Sequence, residues 1–210
     1  MFTGIITAIG TIRKVEQQGD TRVTIACPFD PETIAIGASI ACSGVCLTVV
    51  QRGGEPGDAW FAVDVSDETI ARSAPGQWSE GRTLNLEQAL KLGDELGGHI
   101  VTGHVDGVGE VVGMDSVTSG EWGGSNRLTI RAPASLAPFI APKGSITVDG
   151  ASLTVNTVED RADNACEFTI NIIPHTGEVT TLGTLEKGKD VNLEIDVLAR
   201  YLKRMQSLAA

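Results

Sequence analysis

The stretch SGVCLTV at 43–49 returns as DGASLTV at 149–155, with Cys46 in the first copy and Ser152 in the second. A repeated strand is either duplicated scaffold or part of two related binding sites. Because Leu-Thr-Val is kept while the nucleophilic residue changes, we interpret the repeat as two binding sites with unequal tasks.

The duplication extends to both sides of this heptad. MFTGI at 1–5 matches IVTGH at 100–104, and LNLE at 84–87 matches VNLE at 191–194. Since Thr-Gly recurs after 99 positions but LNLE after 107, we expect a small insertion in the second copy, in the segment TSGEWGG. The predicted division is a first unit at 1–97, a second unit at 98–196 and a tail at 197–210.

The apolar residues of SIACSGVCLTV occupy even positions before Ser43-Gly44 and odd positions after it, and SITVDGASLTV changes in the same way at Asp149-Gly150. A phase change at a glycine predicts a bulge or sharp bend that redirects the following strand. Beyond it, two polar side chains of each copy face away from the apolar side. These candidate ligand edges are Cys46 with Thr48 and Ser152 with Thr154. The alternative is the solvated outer face of a barrel strand.

Both halves show short stretches with period-two alternation, such as WFAVDV and EFTINI, separated by glycine-rich turns. This pattern predicts an all-β protein with one small closed barrel in each half. Only the tail is helical in its periodicity, with one apolar stripe formed by Val197, Leu198, Tyr201, Leu202, Met205 and Leu208. We expect this stripe to pack on a partner subunit; docking back on its own chain is the alternative.

Composition excludes several classes of function. Among 210 residues, 41% are hydrophobic and 20% charged, which is typical of a soluble globular protein. The net charge of −11 disfavours nucleic acid and anionic membranes as partners. The start MFTGIITAIGTIRKV lacks the pattern of a signal peptide, and the four cysteines follow no CxxC spacing. We therefore expect a cytoplasmic protein, with buried thiols and without a metal site.

Five segments, in order along the chain, resemble the riboflavin synthase family of the duplicated, trimeric kind. They are MFTGI at 1–5, GVCLTV at 44–49, GGHIVTGHVDG at 97–107, DGASLTV at 149–155 and IPHT…TTLG at 173–183. The resemblance implies two tandem six-stranded Greek-key barrels and a C-terminal helix that gathers three chains. Each active site would then lie between the N-terminal barrel of one subunit and the C-terminal barrel of its neighbour.

The resemblance also implies a reaction. Two molecules of 6,7-dimethyl-8-ribityllumazine exchange a four-carbon unit and yield riboflavin and 5-amino-6-ribitylamino-uracil, with no cofactor and no metal. Association with the upstream lumazine synthase is a further implied partnership. The main alternative is a non-catalytic lumazine- or flavin-binding antenna protein of the same fold. Both LTV motifs and both Thr-Gly segments are intact, which favours the enzyme.

Carried over by resemblance, the substrate-binding residues form two sets. The N-terminal pocket is implied to comprise Gly4, Ile5, Ile6, Cys46, Leu47, Thr48, Asp64, Val65, Ser66, Asp67, Glu68 and Thr69. The C-terminal pocket is implied to comprise Gly103, His104, Val105, Lys143, Ser152, Leu153, Thr154, Asn171, Ile172, Ile173, Pro174, His175 and Thr176. Further substrate contacts are expected from Phe2, Thr3, Ser39 and Thr102.

Four residues are candidates for the chemistry, because the reaction needs a base for the lumazine C7 methyl group and a nucleophile at C7. Histidine is a common proton carrier in catalysis, so His104 is one candidate, and Ser152, Cys46 and Asp196 are the others. Asp196 is also well placed to cap the tail helix. His99 is interpreted as a structural histidine. Donor and acceptor roles would separate where the halves differ, at Ile5/His104, Gly37/Lys143, Cys46/Ser152, Glu68/His175 and Ala89/Asp196.

Overall fold

The computed structural model describes residues 1–117 and 124–209. The first half forms a closed six-stranded barrel with the strand order β1-β2-β5-β4-β3-β6. Strand β2 crosses over to lie beside β5 of the β3-β4-β5 meander, which is a Greek-key connection. The strands are β1 (Ala8–Gln18), β2 (Asp20–Cys27), β3 (Ser39–Cys42), β4 (Val45–Glu55), β5 (Asp58–Val65) and β6 (Thr83–Gln88), and helix α1 (Asp67–Arg72) follows β5.

The second half repeats this barrel with the equivalent strand order. Its elements are β7 (Gly107–Val117), β8 (Ser125–Ala132), β9 (Ser145–Val148), β10 (Ala151–Asp160), β11 (Cys166–Ile172), α2 (Pro174–Val179) and β12 (Asp190–Ile195). Short 3-10 helices span Pro31–Thr33, Ala137–Phe139 and Thr181–Thr184. The predicted all-β class with two tandem Greek-key barrels is confirmed.

The predicted insertion falls between β7 and β8. Equivalent strands are 99 positions apart for β1 and β7 (8 to 107) but 105 apart for β2 and β8 (20 to 125). The segment TSGEWGG itself lies outside the described residues, apart from Gly124.

The phase change at Ser43-Gly44 is a two-residue hairpin turn rather than a bulge. Both residues have positive φ, 47° and 83°, and Cys42 pairs directly with Val45 across the turn. Directly opposed residues share one face of a sheet, so a two-residue loop reverses the parity of the inward positions. Asp149-Gly150, with φ of 44° and 84°, makes the equivalent turn between β9 and β10.

These two turns meet at the seam between the barrels. The Asn192 side chain donates to the Ser43 carbonyl at 2.7 Å, and the Asn85 side chain donates to the Asp149 carbonyl at 2.8 Å. All four residues are buried. We call these four residues the seam network, in which an asparagine of each barrel donates to the turn of the other.

Helix α3 (Val197–Ala209) follows the second barrel directly. The Arg200 guanidinium forms two hydrogen bonds with the Asp106 carboxylate, at 2.7 and 2.9 Å, which hold the first turn against the barrel. The predicted helix is confirmed. Within the described ranges, no helix is long and apolar enough to cross a membrane. Five residues of the apolar stripe are 61–71% exposed in the chain: Leu198, Tyr201, Leu202, Met205 and Leu208.

Candidate functional site

The Thr-Gly segment of each half forms a tight corner held by a buried glutamate. The Glu87 carboxylate accepts the Thr3 N–H and hydroxyl, both at 2.7 Å, and the Gly4 N–H at 2.9 Å. Gly4 has φ of +75°, a conformation that favours glycine. The equivalent Gly103, with φ of +77°, lies in a second corner held by Glu194.

Each corner contacts the barrel of the opposite half. The Ser152 N–H donates to the Gly4 carbonyl at 2.8 Å, and the Cys46 N–H donates to the Gly103 carbonyl at 2.8 Å. The chain reaches this arrangement because Phe2 pairs with Val101 across the seam.

Two cavities at equivalent positions result from these contacts. The Cys46 cavity, of about 210 Å³, is lined by Val45, Cys46, Glu68, Thr69, Arg72, Ser73, Gly103, His104 and Val105. The Ser152 cavity, of about 130 Å³, is lined by Gly4, Ile5, Ile6, Ala151, Ser152, His175, Thr176, Val179 and Thr180. A larger cleft of about 530 Å³ borders the first corner and is lined in part by Thr3, Ile5 and Glu87, and another of about 620 Å³ lies on the second barrel. We place the site in the two smaller cavities because they recur in both barrels with the repeated LTV strands.

The expected grouping of the corner residues is therefore wrong. Gly4, Ile5 and Ile6 were assigned to a pocket with Cys46, but they line the Ser152 cavity. His104 lines the Cys46 cavity instead of the Ser152 cavity, together with Gly103 and Val105. The physical reason is that each corner crosses the seam, so repeat position does not decide which barrel a corner serves.

His99 contacts the hydroxyl of the candidate nucleophile Ser152. Its Nδ1 lies 2.7 Å from the Ser152 Oγ, and its Nε2 lies 3.3 Å from the Thr147 Oγ1. Burial lowers the pKa of His99, although the negative charges of Asp196 and Glu194 act in the opposite direction. A neutral imidazole at this distance can accept the hydroxyl proton. The sequence gives no signal for this pair, because its members are 53 positions apart.

Cys46 is the half-buried member of the four cysteines, and the other three are buried. Burial raises the pKa of the thiols of Cys27, Cys42 and Cys166, which makes them poor nucleophiles. Among the cysteines, Cys46 alone lines one of the two equivalent cavities. The exposed His104 side chain lines this cavity too.

Asp64 forms a two-pronged ion pair with Arg22, with N···O distances of 2.8 and 2.9 Å. The hydrogen bond from Arg22 lowers the pKa of Asp64 despite partial burial. The next residues begin α1, where the Ser66 hydroxyl accepts the Thr69 N–H and caps the helix. Asp67 lies in its exposed first turn.

Several predicted site residues lie away from the cavity linings. Leu47, Val65 and Ile172 are buried in the barrel cores, so their side chains point inward. The partly buried Leu153 packs against the second core. The strand residues Thr48 and Thr154 are exposed and pair with Ser39 and Ser145, and the exposed Asn171 pairs with Arg127.

The remaining predicted residues have structural contacts. Asp196 accepts the Leu198 N–H at 2.8 Å and caps α3, as predicted for its second role. Lys143 is exposed in a turn with φ of 68°, and Phe2 is buried against Val101. Ile173 and Pro174 are exposed at the start of α2, and Thr102 is bonded to Glu194.

The fold and the paired cavities are those of a tandem ligand-binding protein. The lumazine binding domain family matches the chain twice, at residues 3–89 and 102–196. The chain belongs to the riboflavin synthase family.

Relatives named riboflavin synthase match nearly the whole chain. The protein from Brucella abortus is 50% identical over 98% of each chain, and that from Mycobacterium tuberculosis is 44% identical over the full length of both. Among solved structures, LumP complexed with riboflavin has a TM-score of 0.72 at 28% identity and covers 93% of this chain and 99% of its own. LumP complexed with 6,7-dimethyl-8-(1′-D-ribityl) lumazine has a TM-score of 0.71 at 27% identity, with the same coverage.

Proposed function

We propose that this protein catalyses the riboflavin synthase reaction, the last step of riboflavin biosynthesis. Two molecules of 6,7-dimethyl-8-ribityllumazine exchange a four-carbon unit and yield riboflavin and 5-amino-6-ribitylamino-uracil. The observation that carries the proposal is the pair of equivalent but chemically different cavities. The lining of one includes Cys46 and His104, and the lining of the other includes Ser152, whose hydroxyl contacts the His99 ring.

Two like substrates in unlike roles require such a pair. Ser152 with its neutral imidazole partner is suited to add to an electrophilic ring carbon or to activate water. His104 is exposed in the other cavity and can take a proton from a methyl group of the bound lumazine. We propose that the Ser152 cavity and the Cys46 cavity serve the two roles of donor and acceptor.

The size of the cavities supports a site shared between subunits. Volumes of about 210 and 130 Å³ are small. Pockets that enclose a ligand of drug-like size usually measure about 300 Å³ or more. A second chain that covers each cavity would complete the enclosure, and the exposed apolar stripe of α3 supplies a surface for gathering chains. We propose a homotrimer with sites between subunits.

The setting of the protein is proposed on the same basis. We propose a cytoplasmic enzyme that works without nucleic acid or membrane partners and associates with the lumazine synthase that supplies its substrate. Within each chain, the proposed units are a barrel at 1–97, a barrel at 98–196 and the helical tail. The net charge of −11 supports the exclusion of polyanionic partners.

The test is incubation of the purified protein with 6,7-dimethyl-8-ribityllumazine alone, with riboflavin followed by its absorbance. One riboflavin formed per two lumazines consumed supports the proposal. Tight lumazine binding without product would instead place the protein with the antenna proteins. Ser152→Ala and His104→Gln are expected to lower kcat more than they weaken lumazine binding. The control is Thr157→Ala, on the same strand as Ser152. It removes a hydroxyl that is hydrogen-bonded to Thr169 on the neighbouring strand, and it is expected to retain kcat.

A further inference from the structure

The glutamate of LNLE and of VNLE lies at the end of a repeated motif, yet neither Glu87 nor Glu194 lines the two cavities. Both are buried, with 4% and 2% exposure. A buried carboxylate is costly unless hydrogen bonds compensate it. The groups that donate hydrogen bonds to these two carboxylates therefore indicate the role of each glutamate.

Glu194 accepts four hydrogen bonds from one short segment. They come from the Thr102 N–H at 2.7 Å, the Thr102 hydroxyl at 2.6 Å, the Gly103 N–H at 2.9 Å and the His104 N–H at 3.1 Å. Glu87 accepts the equivalent three bonds from its own corner. Consecutive main-chain N–H groups that converge on one anion fix the local backbone in a single shape.

Each corner contacts a strand of the opposite barrel, so the backbone shape that a glutamate fixes affects the barrel on the other side of the seam. Glu87 is on β6 of the first barrel, but its corner supplies the Gly4 carbonyl that accepts the Ser152 N–H in the second barrel. Glu194 is on β12 of the second barrel, and its corner supplies the Gly103 carbonyl that accepts the Cys46 N–H in the first.

Each corner is packed tightly against the strand that it contacts in the opposite barrel. A Cβ atom added to Gly4 would lie 2.6 Å from the Ser152 Cβ, and one added to Gly103 would lie 2.6 Å from the Cys46 Cβ. The backbones are therefore in direct van der Waals contact, and a corner that moves must displace the candidate nucleophile or separate from it.

We propose that Glu87 and Glu194 are crossed positioning residues, each of which fixes the geometry of the cavity in the opposite barrel. Glu87 positions Ser152, and Glu194 positions Cys46. The relevance to catalysis rests on the proposed function, but the positioning itself does not.

The test uses Glu87→Gln and Glu194→Gln with one local reporter for each cavity, and neither reporter involves lumazine. The first reporter is the rate of alkylation of Cys46 by iodoacetamide, followed by mass spectrometry. The second is the NMR titration of the His99 ring. The main-chain N–H of His99 donates to the Thr3 carbonyl, and its ring contacts the Ser152 hydroxyl. A failure of positioning is thus distinguishable from a failure of the proposed reaction.

The expected pattern is crossed. Glu194→Gln places an amide N–H against main-chain N–H groups, and the loss of a charged hydrogen bond of about 1.5–3 kcal/mol corresponds to a roughly tenfold or greater rise in Cys46 alkylation. Because the charge of Glu194 raises the pKa of His99, Glu194→Gln also shifts the His99 titration directly, so the charge-neutral Thr102→Val is compared with it and should leave the His99 titration as in the parent protein. Glu87→Gln should shift the His99 titration and leave Cys46 alkylation unchanged.

Two equivalent core positions provide matched controls for general destabilisation. Leu84→Ala and Val191→Ala truncate buried side chains on β6 and β12, the strands that carry the glutamates, and should move neither reporter under native conditions. Thr3→Val and Thr102→Val each remove one hydroxyl donor to Glu87 or Glu194 without a change of charge, and they should give the crossed pattern at smaller amplitude even if a glutamine variant fails to fold. Equal effects of a threonine variant on both reporters, or an effect only on the reporter of its own barrel, would overturn the proposal.

Discussion

Replacement of Asp149 by asparagine is expected to stabilise the protein more at alkaline than at acidic pH. Burial raises the pKa of Asp149 from 3.8 to about 7, although the hydrogen bond from the Asn192 N–H and the charge of Arg82 oppose the rise. The residue has φ of 44°, a left-handed conformation that asparagine tolerates well. Its Oδ1 accepts the Asn192 N–H at 2.8 Å, and an asparagine oxygen can accept the same bond.

The magnitude follows from linkage between protonation and folding. Because the pKa is higher in the folded state, the folded protein holds this proton more tightly than the unfolded chain does. The resulting stabilisation is complete below pH 3.8 and is lost as the pH rises through 7. Between pH 5 and 7 the free energy of unfolding should fall by about 1.4 kcal/mol per pH unit, or about 2.7 kcal/mol in all, and then level off.

The assay is urea unfolding at pH 5 and pH 8.5 at one fixed protein concentration. Asp149→Asn should remove this pH dependence, so its gain over the parent protein grows by about 2.7 kcal/mol between the two conditions. Asp149→Ser introduces the residue found at the equivalent position Ser43, whose hydroxyl accepts the Asn85 main-chain N–H at 3.1 Å. This variant should lose the pH dependence in the same way as Asp149→Asn. Asp20→Asn, at an exposed carboxylate, is the control. A gain that is equal at both pH values would show that Asp149 is ionised throughout this range.

Two further predictions concern assembly and the corners. Leu202→Glu places a charge in the exposed stripe of α3 and should convert the proposed trimer to monomers, as measured by light scattering. Lys203→Glu, outside the stripe, should leave the molar mass of the assembly unchanged. A parent protein with the molar mass of a monomer would contradict the proposed trimer. Gly4→Ala introduces a Cβ 2.6 Å from the Ser152 Cβ at positive φ and should lower the free energy of unfolding by about 2 kcal/mol or more. Gly19→Ala, at φ of 87° with open space around its Cβ position, should cost only the backbone strain of about 1 kcal/mol, and equal losses would refute a steric role for Gly4.

Local sequence patterns predicted the barrels because the relevant forces are local. The alternation of DTRVTIAC places Val23 and Ile25 in the core, and the two-residue turn at Ser43-Gly44 produces the observed change of parity. Helix α3 was predicted from its apolar stripe for the same reason. A period of two or of 3.6 residues needs no knowledge of distant contacts.

The site could be predicted only in part, because its contacts join distant positions. The repeat marked Cys46 and Ser152 as equivalent, whereas the grouping carried over from the resemblance placed each corner with the strand of its own barrel instead of the opposite one. The crossing of the corners involves contacts between positions far apart in the sequence, such as the hydrogen bond from the Ser152 N–H to the Gly4 carbonyl. Neither periodicity nor composition encodes such a pairing, and the contact of His99 with Ser152 was missed for the same reason.

The crossing of the corners changes how the two halves can diverge. A substitution in one corner alters the cavity of the other barrel, so each cavity combines a strand from one repeat with a corner from the other. His104 thereby joins Cys46, while its counterpart Ile5 joins Ser152. The Ser152 hydroxyl contacts the ring of His99, from the segment between the barrels, whereas the histidine that lines the Ser152 cavity is His175. The two repeated units therefore differ in the histidines near each candidate nucleophile: His104 lines the cavity of Cys46, and His99 contacts Ser152 directly.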